Sequence, residues 1–570
     1  MPFTPPVAEQ RFVLDHVAGV ARLTDSDVID AVLDGVGAFA AGEWAPLARV
    51  GDAVGARWTP EGVVMPEGYA QAYRDYVAQG WGTIGAPQAW GGQGLPFAVQ
   101  TAVLETLGTA NMAFALCPTL TVGAIEALSH HGSPEQQAAY LPKLVTGEWT
   151  GTMNLTEPQA GSDVGALRTR ATPLGDGKWS IKGTKIFISF GDHDLAGNIV
   201  HLVLARTPDA PAGTRGISLF LVPKFRLGAD GGPGAPNDVR VVSIEHKMGL
   251  HASPTCVLSF GDHGECVGEL IGAEGGGMRA MFTMMNNARL NVGLQGVQAA
   301  EAATQAAVAY ALERVQSARA GGASREPVRI VEHPDVRRML LRMKAQTQAA
   351  RALVYYAAGQ VDRAGLGDPG SGPGQVAAAR GRLELLTPLA KAHATDLGCE
   401  VASLGVQVHG GMGYVEETGV AQVLRDARIT PIYEGSNGIQ AADLVGRKLA
   451  LENGGVFAGL IADMMRDAEH GDLKALVETC DVIGRRLATA DHDDRYAASY
   501  PFLTMLSVAV CGWLMERQAA AAGDDAFGRM KRTAARFYLD QIVPEALGLR
   551  AAATASADLL YAVGPEELAA

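Results

Sequence analysis

KWSIKGTKIFIS (178–189) decides the fold. It is short, rich in β-branched and aromatic residues, and bounded by turn formers, as a strand requires. NIVHLVLART (198–207), RGISLFLVPKF (215–225), VRVVSIE (239–245) and TCVLSFG (255–261) repeat the pattern, with Gly, Pro and Asp turns between them. Such a set predicts a β domain, a small barrel or sandwich, set between helical halves. GADGGPGAPN (228–237) is too rich in Gly and Pro for a strand and is expected as a surface loop.

Outward from this domain the period changes to 3.6. Before it, SDVIDAVLDGVGAFA (26–40), EGYAQAYRDYVAQG (67–80), FAVQTAVLETLGTANMAFALC (97–117) and SPEQQAAYLPKLVTGE (133–148) read as helices. Ser133-Pro134 opens the last one, serine as N-cap and proline at the first helical position. WGTIGAPQAWGGQGLP (81–96) is expected as a structured loop. After it, long apolar-striped helices are expected over roughly 276–317, 334–363 and 376–407, an antiparallel bundle. GLGDPGSGPGQ (365–375) reads as a flexible connector. A further helical region follows, including YPFLTMLSVAVCGWLMERQAAAAG (500–523), with no catalytic constellation of its own. The expected class is therefore α+β and mostly α. Its divisions are an N-terminal helical domain (1–151), a β domain (152–275), a helical bundle (276–452) and a C-terminal helical domain (453–570).

The 570 residues exceed single-domain size. A formal charge of -14 without Lys/Arg runs argues against a phosphate-tracking surface, so no nucleic-acid partner is expected. The 6 cysteines lack ligand spacing, which suits a reducing compartment and supports no metal site. No basic-then-apolar leader opens the chain and no uninterrupted apolar span is read. VGLQGVQAAEAATQAAVAYALERV (292–315) comes nearest but is broken by Gln295, Gln298, Glu301 and Gln305. A cytoplasmic protein is expected.

Two stretches carry chemistry. RDARITPIYEGSNGIQ (425–440) presents one carboxylate, Glu434, between Tyr433 and Gly435 after an apolar approach through Ile429, Pro431 and Ile432. It is either a functional group or a helix entry in which Ser436 caps GIQAADLVG. MNLTEPQAGSDVGALRTRA (153–171) offers the hydroxyls of Thr156 and Ser162, and small residues at Ala160 and Gly161 let its backbone approach a ligand. It also reads as a plain surface turn.

TEPQAGSD (156–163), GTKIFIS (183–189), KMGLHASPT (247–255), VQVHGGMGY (406–414) and RDARITPIYEGSNGIQ, in this order and spacing, resemble the acyl-CoA dehydrogenase family. The likeness spans roughly 70–450. The terminal extensions resemble the longer bacterial subgroup that includes methylthiopropionyl-CoA dehydrogenases. The resemblance implies FAD, with Phe187 against the isoalloxazine, Ser189 near its N5 edge, Leu155 and Thr156 at its pyrimidine end, and Ser436 also beside the cofactor. It implies that Arg314, Gln407, Gly410 and Gly411 hold the diphosphate and adenine across a subunit boundary. The family's R-x-T-F-G departs here to Arg314-Val315-Gln316-Ser317-Ala318, which leaves Gln316 to replace the threonine. Ser162, Asn286, Arg289 and Gly435 fall at substrate-contacting positions, Asn286 standing where an aspartate is usual.

By the same resemblance the reaction is α,β-dehydrogenation of an acyl-CoA thioester. Glu434 takes the α-proton, the hydride goes to flavin N5, and an electron-transfer flavoprotein takes the electrons. Relatives that carry the base just before the arginine have it at the position of Ala288, which cannot remove a proton. A homodimer or dimer of dimers is implied. An acyl-CoA oxidase, or a DNA-associated flavoprotein of the same fold, are the competing readings.

Overall fold

The computed structural model describes residues 3–365 and 372–570, with the backbone alone at 283–286. The connector expected at 365–375 lies largely outside the described residues. The chain divides into two compact units, Gly35–Leu95 with Thr106–Ala288, and Met1–Asp34 with Pro96–Glu105 and Arg289–Ala570.

The first unit is built on an eight-stranded sheet. Its order runs Val239–Ile244, Thr255–Phe260, Lys178–Ser189, Val267–Ile271, Ile217–Pro223, Asn198–Arg206, Trp149–Asn154, with Arg170–Gly175 paired to Lys178–Ser189 and Asn198–Arg206. All neighbours run antiparallel except Trp149–Asn154, which is parallel to Asn198–Arg206, and the single Arg170–Arg206 pairing. The strand Asn198–Arg206 is covered on both faces, so its sequence is a near-continuous apolar run rather than an alternation. Val200, Leu202 and Leu204 join one core with Leu128, Leu141 and Trp149, while Val203 and Ala205 join another with Ile181, Phe220 and Leu258.

Three expectations need correction here. Pro233–Pro236 is a strand, paired with Phe225–Leu227, and not loop. Its prolines are the first and last strand residues, where a missing N–H removes little of the ladder. The helix expected over 97–117 is two, Phe97–Ala110 and Met112–His131, because Asn111 leaves helical geometry and accepts from the Phe114 amide at 3.2 Å. Met112–His131 is also long and apolar enough to cross a membrane by length and composition, but most of it is buried inside the fold.

In the second unit Gly277–Glu313, from Arg289 on, packs with Pro334–Gly365 and Pro373–His409. Pro334–Gly365 and Pro373–His409 match the expected helices closely. The first ends at Glu313, four residues before the expected limit, where Val315–Ala318 pairs with Pro327–Arg329. Gly296 lets two of these helices nearly touch, since a Cβ there would lie 2.0 Å from the Ala394 carbonyl oxygen. This crossing brings Arg289 and Lys391 toward the same loop. The C-terminal helices Gly455–Asp467, Gly471–Thr489, Ser499–Ala521 and Ala526–Phe537 belong to the same unit.

Candidate active site

The loop 428–436 leaves the helix Val420–Ala427 in tight turns: Thr430 N–H donates to Ala427 O and Ile432 N–H to Ile429 O. It then takes two left-handed residues in succession, Glu434 at φ 55° and Gly435 at φ 84°. A glutamate held there costs on the order of 1–3 kcal/mol and persists only where its surroundings over-determine it, a feature concentrated at functional sites. The surroundings do so. Asn437 N–H closes the loop on Pro431 O at 2.9 Å, Ser436 caps the helix Asn437–Gly446, and Gln440 Nε2 donates to Gly435 O at 3.1 Å. A side chain at 435 would be strained by the positive φ, and its Cβ, 2.8 Å from Gln440 Nε2, would displace the amide that donates to Gly435 O.

Two cations face this loop. Arg289 is only 6% exposed, and Asp443 lies 3.8 Å from its Nη1. Its buried Nε has no hydrogen-bond partner among the described residues. Lys391, from the middle of the Pro373–His409 helix, is fully buried and donates to Asn437 Oδ1 at 2.8 Å. Burial raises the Glu434 carboxyl above its ordinary value, while the charges of Arg289 and Lys391 pull it back. Tyr433, the preceding residue, donates its hydroxyl to Gln295.

The other unit carries a second constellation. Opposite Val257, the strand Lys178–Ser189 places both Ile186 and Phe187, a β-bulge in which Phe187 takes φ 60°. The bulge turns the ring outward, 59% exposed, so Phe187 is not an inward-packed strand residue. Ile186 N–H donates to Thr156 O at 2.9 Å, and buried Lys185 donates to Leu155 O at 3.0 Å and to Glu157 at 2.8 Å. Glu157 further accepts from the amides of Arg168 and Thr169. Leu155 and Thr156 are thus clamped to Lys185 and Ile186, directly before the outward Phe187, while Ser189 lies two residues further along the strand, paired with Thr255. Beyond it the turn 157–160 closes on itself, with Ala160 buried in the core, not open to a ligand, and Ser162 exposed.

A third group lies where Pro373–His409 ends. Gln407, Gly410 and Gly411 are exposed, Gly410 at φ 61°, and a Cβ on either glycine would meet nothing within 4 Å. Arg314, at the end of its helix, donates to Gln316 Oε1 at 3.0 Å, so Gln316 engages the guanidinium directly. The side chain of Asn286 lies outside the described residues.

Family models match almost the whole chain: acyl-CoA dehydrogenase N-terminal domain (26–148), middle domain (152–263) and C-terminal domain (275–449), then "Acetyl-CoA dehydrogenase C-terminal like" (459–563). The chain belongs to the acyl-CoA dehydrogenase family. It is 45% identical to 3-methylmercaptopropionyl-CoA dehydrogenase of Ruegeria pomeroyi over 96% of this chain and 97% of that one. It is 37% identical to a butyryl-CoA dehydrogenase of Syntrophomonas wolfei over 89% and 87%. Caenorhabditis elegans ACDH-11 in complex with C11-CoA shares the fold, with a TM-score of 0.79 at 21% identity over 95% and 92%. The chain is accordingly an oxidoreductase of a flavoprotein family that acts on acyl-CoA.

Within that family frame the structure gathers Glu434, Gly435, Ser436 and Arg289 in one place. It adds Lys391, Asn437 and Gln440, which the sequence analysis did not single out. A lysine alone in an apolar helix, LTPLAKAHATDLG (386–398), was the available signal.

Proposed function

We propose that this chain oxidises an acyl-CoA thioester to the 2-enoyl-CoA with FAD, and that Glu434 is the base that takes the α-proton. The observation that carries the reading is a carboxylate held in left-handed backbone and faced by two buried cations. Burial brings its proton affinity toward working pH, where a general base is most effective. Arg289 and Lys391 keep it ionised before the proton is taken. The Glu434 N–H, fixed by the same turn, is assigned to the thioester carbonyl, where a preorganised donor contributes about 3–4 kcal/mol.

The chain's residues fit FAD. An outward aromatic at Phe187 offers a flat apolar surface beside Ser189, Leu155 and Thr156. Gly410 and Gly411 leave open space near Gln407, and Arg314 with Gln316 supplies a guanidinium suited to a diphosphate. FAD, when bound, supplies the hydride acceptor for the β-carbon. Arg289 and Gly435, with Ser162 and Asn286, are assigned to the acyl-CoA. The working domain limits are 1–151, 152–275, 276–452 and 453–570. The chain is read as a cytoplasmic homodimer or dimer of dimers that passes electrons to an electron-transfer flavoprotein. The two enzymes named above with the higher sequence identity, acting on 3-methylmercaptopropionyl-CoA and butyryl-CoA, point to a short acyl group for this chain.

Glu434→Gln tests the base. The variant should purify yellow with FAD yet turn over butyryl-CoA at least ~10³-fold more slowly, the upper range for a general base. Turnover near the wild-type rate would remove Glu434 from the mechanism.

A further inference from the structure

The hydrogen bonds behind the Glu434 loop lead into the C-terminal helices. Asn437 is buried directly after the Ser436 cap, and its Nδ2 lies 3.0 Å from Ala392 O, 3.0 Å from Thr395 Oγ1 and 2.8 Å from Asp396 Oδ1. Its Oδ1 accepts from Lys391. The other carboxylate oxygen of Asp396 accepts from the Tyr500 hydroxyl at 2.6 Å. Tyr500 stands on Ser499–Ala521, inside the region matched by the additional C-terminal family model. A continuous chain therefore runs Tyr500, Asp396, Asn437, Lys391, and its last member is one of the two cations that face Glu434.

We infer that the C-terminal domain acts on the reaction through this chain. Tyr500 and Asp396 are positioning residues that hold Asn437 and the Lys391 ammonium, and through them set the loop and the proton affinity of Glu434. The inference rests on the reading of Glu434 as base.

The reason is electrostatic. A buried ammonium keeps its charge only beside a compensating partner. Burial lowers Lys391 to about 8, and Asp396 and Glu434 are the charges that oppose the fall. With Asp396 neutralised, Lys391 sheds its proton more easily and Glu434 is left with Arg289 alone. The carboxyl then keeps its proton to higher pH. Other charges around the site are the same in wild type and variant. Asp443 shares Arg289 with Glu434 and is itself paired with Arg447. Arg428, on the loop, acts on Asp396 and on Cys399. Cys399 in turn faces Tyr500, while Asp426 faces Tyr433. Tyr500 is 37% exposed, so its bond to Asp396 contributes little to stability on its own.

The test compares full-length, FAD-loaded Asp396→Asn, Tyr500→Phe and wild type, with kcat and kcat/KM for butyryl-CoA measured across pH. Asparagine at 396 keeps an oxygen for Asn437 while removing the charge. The acidic limb should move up by roughly 0.5–1 pH unit in Asp396→Asn and by less in Tyr500→Phe. FAD content and KM should stay near wild type. An unmoved limb in both variants overturns the inference, whether or not melting temperature falls, because a merely structural role lowers stability without retitrating the base. If Asp396→Asn does not fold, Tyr500→Phe decides alone. Glu434→Gln in the same series separates the two readings. An inactive Glu434→Gln with unmoved limbs removes only the role of the chain, and an active one removes the base itself.

Discussion

Lys185 has no accessible surface, yet the corner assigned to the flavin depends on it. Its ammonium holds Leu155 O and Glu157, and Glu157 gathers the 168–169 backbone, so one buried pair fixes both sides of the turn that carries Thr156. Burial pushes the Glu157 carboxyl up, but the Lys185 charge and the hydrogen bonds from Lys185, Thr169 and the Arg168 amide outweigh it and hold the carboxyl at about 2. A carboxyl depressed in the folded state stabilises fully above its unfolded value of 4.5, and that stability is lost as pH falls toward about 2. Lys185→Met strands the carboxylate in the interior, which costs about 3–5 kcal/mol near neutral pH. The variant should melt well below wild type and lose FAD on gel filtration. Unchanged melting and unchanged flavin absorbance would show that the pair does not hold the corner.

At the scale of elements, what the sequence reveals depends on how local the cause is. Lys178–Ser189, Asn198–Arg206, Ile217–Pro223, Val239–Ile244 and Thr255–Phe260 are legible because β-branched runs and turn residues sit side by side in the chain, whereas Pro233–Pro236 is hidden by its Gly and Pro content. Ser133 is equally plain: its hydroxyl accepts from Gln136 N–H at 3.2 Å and the Gln136 side chain returns the bond at 3.0 Å, all within four residues. Trp149–Asn154 escapes notice because it is neither an alternation nor an apolar run: its buried Thr150 and Thr152 are satisfied by His193 and His201, more than 40 positions away. Glu434 is visible through its motif, whereas Asp396 and Tyr500 meet across 104 positions and nothing local announces them. Asn111 shows the intermediate case. Its oxygen caps Met112–His131 while its Nδ2 donates to Trp44 O at 3.3 Å and Tyr69 Oη at 3.1 Å, so it both divides two helices and ties them to distant residues. Asn111→Ala should therefore cost more than loss of a simple cap, about 2 kcal/mol against about 1 kcal/mol for Ser133→Ala. Urea midpoints of the two variants check the order, and equal shifts would mean that the distant bonds add nothing.

At the scale of the molecule, one buried charge cluster joins the two ends of the chain to the bundle. Arg351 donates to Glu105 at 2.8 Å and to Glu301 at 2.7 Å, and Glu9 lies 3.9 Å away, shared with Lys531 at 2.8 Å. Five helices contribute, from Val7–Val13 near the start to Ala526–Phe537 near the end. Burial opposes the ionised form of Glu301, but Arg351 leads the charges and hydrogen bonds that hold its carboxyl at about 2. In the wild type its contribution is complete above 4.5 and fades as pH drops toward about 2. Arg351→Met reverses the sign: with the guanidinium gone, burial raises the Glu301 carboxyl above its unfolded value, so the folded variant takes up a proton there first. Its deficit should be about 3–5 kcal/mol at pH ~8, the cost of breaking a buried pair, and should shrink as acid neutralises the stranded Glu301 carboxylate. Thermal melting of variant and wild type at pH ~8 and pH ~5 measures the two gaps. A gap of the same size at both would mean that the variant fails through lost packing, and that charge does not bind the chain's two ends to the bundle.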